Sequence, residues 1–353
     1  MKNLTVGALR ATLGLAWTLI GVTANASGIE PILPNSSVRA VGIVTADVEK
    51  TAQRYGAVFG SDSWEVADEA VEIIDYRTGN GIRSRATLRT AVGKVKDRQF
   101  ELIQPMRGSS PFQDFLTQRK ETAAYYFSLG TIANALDAIK KLQASGYKLL
   151  MQVHSSNGQL HTYMDTSDEL GGVLEFSSEA TRSPKQKSIS RTLKISELPD
   201  PKRRLDMTDK RLGQLAFVVT DGEKVAKSYA DIFGVKLNYI PPLDLDMSAV
   251  RNMDLPLNST VGIKVYLGQW DTTQIEVIEQ LVGDTTYRRF MRRNGGSGIH
   301  HMSFGFVPDA PDTEDRFRKA GYVIDMGGTL RRGTIRFFYM DTPDLGFDVE
   351  FLQ

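Results

Sequence analysis

The chain has 353 residues, enough for two domains of ordinary size, and its 43 lysines and arginines nearly balance its 42 aspartates and glutamates. This balance gives no indication of binding to nucleic acid or to an anionic membrane. Cysteine is absent, which excludes disulfide bonds, thiolate catalysis and cysteine-ligated metal sites. Any metal must therefore be held by histidine, carboxylate or amide oxygen.

The first 26 residues have the features of a secretory signal peptide. A lysine lies near the start, an apolar run extends from about Leu13 to Val22, and small residues occupy positions Ala24 and Ala26. The run is shorter than the ~20 residues that a membrane-spanning helix needs, although an uncleaved anchor is the alternative. We therefore expect cleavage after Ala26, a periplasmic or secreted mature protein, and no membrane span after cleavage.

The rest of the chain contains an internal repeat. VGIVTADVEKTAQRYGAVFG, which starts at Val41, aligns without gaps with LAFVVTDGEKVAKSYADIFG, which starts at Leu215, and eight of the 20 positions are identical. A second similarity links YMDTSDELGGVLEF, from Tyr163, with YMDTPDLGFDVEF, from Tyr339. The repeat indicates a tandem duplication.

Each half has the same order of predicted elements. RAVGIVTAD is apolar and β-branched, as a strand is, and VEKTAQRYGAVFG then has apolar residues at helical spacing and a final glycine. Similar strand and helix patterns recur in each half. We predict domains at 36–180 and 210–353, joined by a linker at 181–209 that is rich in Ser, Lys and Pro. The predicted βαβββ modules are 38–106, 122–178, 212–281 and 298–353.

Four segments carry a resemblance to a known family: VTDGEKVAKSYADIFG, FELIQP, RRFMRRNGGSGIHHMSF and YMDTPDLGFDVEFLQ. Four such modules in two pairs resemble the vicinal oxygen chelate superfamily, which includes glyoxalase I, methylmalonyl-CoA epimerase, extradiol dioxygenases and bleomycin resistance proteins. The resemblance covers nearly the whole chain after the signal peptide. It implies an α+β fold in which each half curls a mixed sheet into a cup, with the site on the concave face.

The resemblance also implies a metal site, because the family draws its ligands from the first and last strands of its modules. In the second half these positions are Gln214 and His301 on first strands, and Glu276 and Glu350 on last strands. The set resembles that of zinc-type glyoxalase I and suits one divalent metal, whether Zn, Ni, Co, Mn or Fe. A glutamate in such a cup can also act as a base. Glu350 is the preferred candidate for this role and Glu276 the alternative.

The first half lacks this set. Ala40 and Ala124 occupy the matching first-strand positions, the second of which follows from aligning phenylalanines of the two strands. Glu101 and Glu175 occupy the last-strand positions. We therefore predict a degenerate site whose glutamates bond to nearby tyrosines or an arginine. Pairing of modules across domains, which occurs in the family, would instead bring one of these glutamates beside His301.

The neighbouring residue His300 is expected to face away from the site, because adjacent strand residues point to opposite faces. Arginines near the second cup most simply form a solvated surface. Their position is also compatible with binding of an anionic substrate. The candidate substrate-binding residues are Arg288, Arg292, Arg332 and Arg336.

Three functions stay open at this point. The ligand set favours an exported metal-dependent lyase or isomerase that removes a proton from a small oxygen-chelating substrate. The degenerate first half favours a non-catalytic protein that sequesters a small molecule, as the resistance proteins do. An extradiol-type dioxygenase fits less well, because Gln214 stands where that class needs a histidine. Each function implies a small-molecule partner and no nucleic acid, and an oligomer is compatible with all three.

Overall fold

The computed structural model describes residues 30–179, 189–195, 205, 207, 210–241, 251–252, 255–256, 261–330 and 335–353. The predicted signal peptide and most of the predicted linker lie outside these residues, and the predicted domain limits stay predictions. Within the described ranges, no helix is both long and apolar enough to cross a bilayer.

The first half builds two βαβββ modules in succession. The first module consists of β1 (Ala40–Val44), α1 (Val48–Phe59), β2 (Ser63–Asp75), β3 (Ile82–Val95) and β4 (Arg98–Arg107). The connecting helix is α2 (Pro111–Arg119). The second module consists of β5 (Ala123–Thr131), α3 (Ala135–Ala144), β6 (Lys148–His154), β7 (Leu160–Asp165), the short α4 (Ser167–Leu170) and β8 (Val173–Ser177). Part of the predicted linker then forms β9 (Ile189–Lys194), which pairs with β2.

The second half repeats this order. Its first module consists of β10 (Gln214–Val219), α5 (Gly222–Phe233), β11 (Asn238–Ile240), the two-residue strands β12 (Arg251–Asn252) and β13 (Leu255–Pro256), β14 (Gly262–Trp270) and β15 (Thr273–Val282). The connecting helix is α6 (Thr286–Asn294). The last module consists of β16 (Gly298–Phe306), α7 (Ala310–Lys319), β17 (Val323–Leu330), β18 (Ile335–Asp341) and β19 (Asp348–Leu352).

The identical residues of the repeat mark the two ends of equivalent helices. Asp47 caps α1 by accepting a hydrogen bond from the backbone N–H of Lys50, and the helix ends at Gly60, whose φ is 68°. Asp221 and Gly234 do the same for α5, with a φ of 72° at the glycine. The shared Asp and Gly thus fix the helix that follows the first strand in each half.

The two sheets share a core order but differ in closure. The first runs β3-β4-β1-β5-β8-β7-β6-β2, and β2 also pairs with β3, so that it closes into a barrel. The second runs β11-β14-β15-β10-β16-β19-β18-β17-β12-β13 and, over the residues that the structure describes, stays open. The cause lies in strand length, since β2 has 13 residues and its counterpart β11 has three. The predicted α+β fold of two cupped mixed sheets is confirmed, and consecutive modules pair within each half.

The two halves share one hydrophobic core, which extends through the helices of both. Two equivalent hydrogen bonds cross between them. Tyr55 Oη donates to the carbonyl of Leu345 at 2.9 Å, and Tyr229 Oη donates to that of Leu170 at 3.2 Å. Both tyrosines are fully buried. The first helix of each half is therefore tied to the segment that precedes the last strand of the other half.

Candidate metal centre

The four predicted ligand residues lie on the four central strands of the open sheet. β15, β10, β16 and β19 are adjacent in that order and contribute Glu276, Gln214, His301 and Glu350 respectively. Ala216 pairs with Glu276 on one side and with His301 on the other, and Gln214 lies two residues before Ala216 on the same face. The strand register therefore brings these three side chains to one part of the sheet. These side chains share the inner face, opposite to the face that packs against α5 and α7.

Three of the four side chains converge on one point. His301 Nε2 lies 3.1 Å from Glu276 Oε2 and 3.7 Å from Glu350 Oε2. One ligand atom from each residue lies within 4.8 Å of the others. His301 is fully buried, while the side chains of Glu276 and Glu350 are 13% and 7% exposed. This group could hold a divalent metal ion.

Gln214 contributes a buried polar atom on the strand between Glu276 and His301. Its Nε2 donates to Gln274 Oε1 at 2.8 Å, which leaves Oε1 as the free end of the amide. That oxygen is buried and has no hydrogen-bond partner among the residues that the structure describes. A buried acceptor without a partner is costly unless a cation or a donor meets it. The donor set present therefore fits a metal with one amide oxygen, one imidazole and two carboxylates.

Burial sets the protonation of this group. It raises the pKa of Glu276 to about 7 and lowers the pKa of His301 to about 4. Burial also raises the pKa of Glu350, but His301 and hydrogen bonds from Ser303 and Tyr339 oppose this effect. At neutral pH His301 is therefore uncharged, as a metal ligand must be, while Glu276 gains and loses its proton near that pH.

His300 lies on the same side of the sheet as His301, so its expected opposite orientation is wrong. The pairing of β10 with β16 passes from Ala216↔His301 to Phe217↔Ile299, which makes His300 the extra residue of a β-bulge. Its Nδ1 lies 3.0 Å from Nδ1 of His301. The alternation of faces holds only for regular strands, and the bulge interrupts it here.

In the first half, the counterpart of His301 is Tyr126 rather than Ala124. Tyr126 pairs with the residue opposite Glu101, just as His301 pairs with the residue opposite Glu276. Both also lie eight residues before the N-cap of the next helix and 49 residues before the last-strand glutamate. The equivalence predicted for Ala124 is wrong, because phenylalanines align the two strands two residues out of register. Counting from the helix start would have found Tyr126.

Neighbouring polar side chains bond to the two glutamates of the first half. Tyr126 Oη donates to Glu101 Oε2 at 2.6 Å. Ser128 Oγ donates to Glu175 Oε2, and His161 Nδ1 lies 2.9 Å from the other oxygen of that carboxylate. Burial and then the charge of Glu175 raise the pKa of Glu101. Among the residues described, three potential ligand atoms within 4.8 Å of one another occur only at the second-half site.

No profile of a known protein family matches the sequence, and no curated protein does. A mutant of 4-hydroxymandelate synthase from Streptomyces coelicolor matches in structure, with a TM-score of 0.53 and 12% identity, over 91% of this chain and 93% of that chain. The chain has the vicinal oxygen chelate fold. A xylose isomerase-like TIM barrel/4-hydroxyphenylpyruvate dioxygenase fusion protein matches over 98% of this chain and 53% of that chain, with a TM-score of 0.44 and 12% identity. Methylmalonyl-CoA epimerase from Mycobacterium tuberculosis matches over 40% of this chain and 87% of that chain, with a TM-score of 0.29 and 18% identity.

Around the predicted ligand residues, the inner face of this vicinal oxygen chelate cup is apolar and aromatic. Helix α6 places Tyr287 and Phe290 on it, and Tyr287 Oη donates to Tyr339 Oη at 2.9 Å. The ring of Tyr339 lies edge-on to His301, 4.8 Å between centroids. The cluster consists of Val218, Ile278, Tyr287, Phe290, Met326, Phe337 and Tyr339.

Arg336, one of the predicted substrate-binding residues, lies on the outer face of the cup. Its guanidinium lies 4.8 Å from the centre of the Phe338 ring, which stacks on Phe351 in the main core. This position faces away from the ligand residues and does not support contact with a substrate bound there. Arg332 lies outside the described residues.

The two arginines predicted on α6 differ in their surroundings. Arg288 is partly buried, and its Nη2 donates to the carbonyl of Leu281 near the end of β15 at 3.4 Å. Arg292 is exposed and pairs with Asp284 at 2.9 Å. Arg288 therefore lies beside a strand that carries a predicted ligand, whereas Arg292 forms part of the solvated surface.

Proposed function

We propose that the second half is a divalent-metal enzyme of the lyase or isomerase type. It acts on a small substrate with two neighbouring oxygens by removing a proton next to a carbonyl. The convergence of Glu276, His301 and Glu350 at one buried point supports this proposal most directly. When bound, the metal would polarise the carbonyl and acidify the adjacent C–H. Zn, Ni, Co, Mn and Fe all suit the donor set.

Gln214, His301, Glu350 and Glu276 would hold the metal, and one of the two glutamates would also serve as the base. Hydrogen bonds from a serine and a tyrosine orient the Glu350 carboxylate, which favours a purely ligating role for it. Glu276 acts as the base, since burial raises its pKa to about 7, close to the pH at which a general base is most effective. These contacts reverse the order of preference that the sequence suggests for the two glutamates.

The substrate has an apolar body in addition to its oxygens. Tyr287, Phe290 and Tyr339 present apolar surface next to the ligand residues, which favours a hydrocarbon or aromatic group there. An anionic group on the substrate would meet Arg288, whose Nε is buried and finds no hydrogen-bond partner in the described part of the chain. The partner is a small molecule in either case.

Metal content tests the site. Chelator-treated protein titrated with Zn²⁺ should take up about one equivalent per chain, and His301→Ala should abolish uptake. Glu101→Gln, which changes a carboxyl of the first half, should leave uptake intact. A wild-type protein that takes up no divalent metal would exclude the proposal.

Proton exchange tests the chemistry. We propose 2-hydroxyacetophenone as a probe, because it combines neighbouring oxygens with an aromatic body. In D₂O the metal-loaded protein should catalyse exchange of deuterium into the CH₂ group of the probe, next to its carbonyl. NMR follows this exchange. Glu276→Gln should retain metal and lose exchange. Binding of the probe without exchange would favour a sequestering protein, and consumption of O₂ by the Fe²⁺ form would favour a dioxygenase.

We also propose that the protein is exported, on the strength of the charged start, apolar run and small residues of positions 1–26. Mass spectrometry of the mature protein should find an N-terminus directly after Ala26, in the periplasmic or extracellular fraction. A cytoplasmic chain that retains these residues would contradict this.

A further inference from the structure

A chain of polar contacts leads from Arg289 to the ligand histidine. Arg289 Nη2 donates to Asp325 Oδ1, and the hydroxyl of Thr286 is bonded to the other oxygen of that carboxylate. Thr286 Oγ1 lies 3.1 Å from His300 Nε2, and His300 Nδ1 lies 3.0 Å from His301 Nδ1. The threonine, the aspartate and both histidines are buried, with exposed fractions of 8% or less.

We infer that His300 is a positioning residue that fixes the tautomer of His301 and thereby turns the Nε2 lone pair of His301 toward the two glutamates. The consequence for metal binding rests on the proposed function, whereas the tautomer follows from the contacts alone. The direction of each hydrogen bond carries the argument.

The ion pair of Arg289 and Asp325 sets the direction of these hydrogen bonds. Asp325, paired with Arg289, is a carboxylate and can only accept. The single proton of the Thr286 hydroxyl is therefore donated to Asp325. Its oxygen then accepts from N–H at His300 Nε2. A buried, uncharged imidazole has one N–H, so Nδ1 of His300 is bare and accepts the proton of His301 Nδ1.

This order leaves His301 Nε2 without a proton. It faces Glu276 Oε2 at 3.1 Å and Glu350 Oε2 at 3.7 Å, so that three acceptor atoms point at one position. A cation at that position satisfies all three. In the opposite tautomer, an N–H at Nε2 would donate to Glu276 and remove the ligand. Residues that bond to the second ring nitrogen of a metal-binding histidine commonly fix its tautomer.

A second carboxylate near His300 does not change this order. Asp348 Oδ2 lies 3.8 Å from His300 Nε2, beyond hydrogen-bond distance, and none of the described residues forms a hydrogen bond with it. Thr286 is therefore the partner of that nitrogen.

The first half provides an internal comparison, because it lacks the threonine, the aspartate and the two histidines of this series of contacts. Tyr125 precedes Tyr126 where His300 precedes His301, and Pro111 opens α2 where a threonine opens α6. Leu150 takes the place of Asp325. Each precedes a methionine that pairs with a tyrosine of the next strand, Met151 with Tyr163 in the first half and Met326 with Tyr339 in the second. The series of hydrogen bonds is thus present only in the half that has the histidine it would orient.

Nitrogen-15 NMR of the metal-free protein tests the tautomer, and the chain has only four histidines to assign. We expect His301 to carry its proton on Nδ1 and to show a bare Nε2. In Asp325→Asn, Arg289 keeps the amide oxygen on its own side, so the NH2 donor faces Thr286. This variant should move the proton of His301 toward Nε2, while His161 in the first half stays unchanged. A wild-type His301 protonated on Nε2, or an unchanged tautomer in D325N, would overturn the inference.

Metal affinity tests the consequence. His300→Asn places an amide oxygen near the position of Nδ1, where it can accept from His301, whereas His300→Gln reaches the position of Nε2 instead. Titration with Co²⁺ should give near-wild-type affinity for H300N and a loss of about 10–100-fold for H300Q. Tyr125→Phe, the matched change in the first half, should have no effect.

Equal losses in both His300 variants, or no loss in either, would overturn the positioning role. Thermal unfolding of the metal-free variants separates this from a loss of folding. A wild-type protein that does not bind Co²⁺, but keeps the Nδ1–H tautomer, would remove the proposed metal function and leave the inferred tautomer standing.

Discussion

Replacing Glu276 by glutamine should stabilise the metal-free protein at neutral and alkaline pH. The side chain is 13% exposed, and burial raises the pKa of its carboxyl from 4.5 to about 7. In the unfolded chain the same carboxyl ionises near its ordinary pKa, so the folded state binds the proton more tightly. The free energy of unfolding therefore falls as pH rises from about 4.5 to about 7 and stays low above that range.

The size of this effect follows from the difference in pKa. One pKa unit corresponds to about 1.4 kcal/mol, so Glu276 should cost the metal-free protein about 3 kcal/mol at pH 8. A protein of ordinary stability has about 5–15 kcal/mol in total. Glutamine does not ionise, so the stability of the variant relative to wild type should increase by about this amount between pH 5 and pH 8.

Urea unfolding of chelator-treated protein across this pH range measures the effect. Excess Zn²⁺ at pH 8 should restore the stability of the wild type, because the cation takes the place of the proton. Glu101→Gln also removes a buried carboxyl, but it should leave the full Zn²⁺ effect. Parallel pH profiles for wild type and Glu276→Gln would show that Glu276 ionises normally, and would refute the reasoning from burial.

Three further predictions concern the relation between the halves. Gly42→Ala should lower the Tm, because the new Cβ would lie 1.9 Å from Cε1 of the buried Tyr126 ring; an unchanged Tm would contradict this packing. Tyr229→Phe should cost about 1–3 kcal/mol in urea unfolding, because the buried Leu170 carbonyl loses its donor; a neutral effect would argue against a bond between the halves. Ala40→Gln combined with Tyr126→His should add a second equivalent of zinc per chain by mass spectrometry, because the glutamates of the first half are already in place. A stoichiometry that stays at one would show that these positions are not equivalent.

Local features of the sequence predict the modules and their last-strand glutamates. The Asp and Gly of the repeat mark helix ends through capping chemistry, which depends on a few neighbouring residues. Alternation along β15 and along β19 likewise predicts that Glu276 and Glu350 each point away from the apolar residues beside them in the strand. The predicted convergence of His301 with them depends on a resemblance to known proteins, because no local rule specifies which strands lie side by side.

The failed expectations involve the pairing of distant strands. The bulge at His300 arises from the fit of β16 against β10, which are 85 residues apart in sequence at the paired Ala216 and His301, so the strand's own residues do not reveal it. The mistaken choice of Ala124 came from matching side-chain types, where the distance to the helix start is the better guide. Closure of the first sheet depends on the length of β2 and its pairing with β3, and the contrast with the short β11 becomes visible only in the structure.

The open sheet places its ligand strands far from its ends. β15, β10, β16 and β19 are third to sixth in a row of ten strands, and the outermost strands at either side have two or three residues each. Amide hydrogens should therefore exchange with solvent fastest at β11 and β13 and slowest at β10 and β16. Fraying at these margins would leave the spacing of Gln214 and His301 unchanged, because both residues lie on central strands.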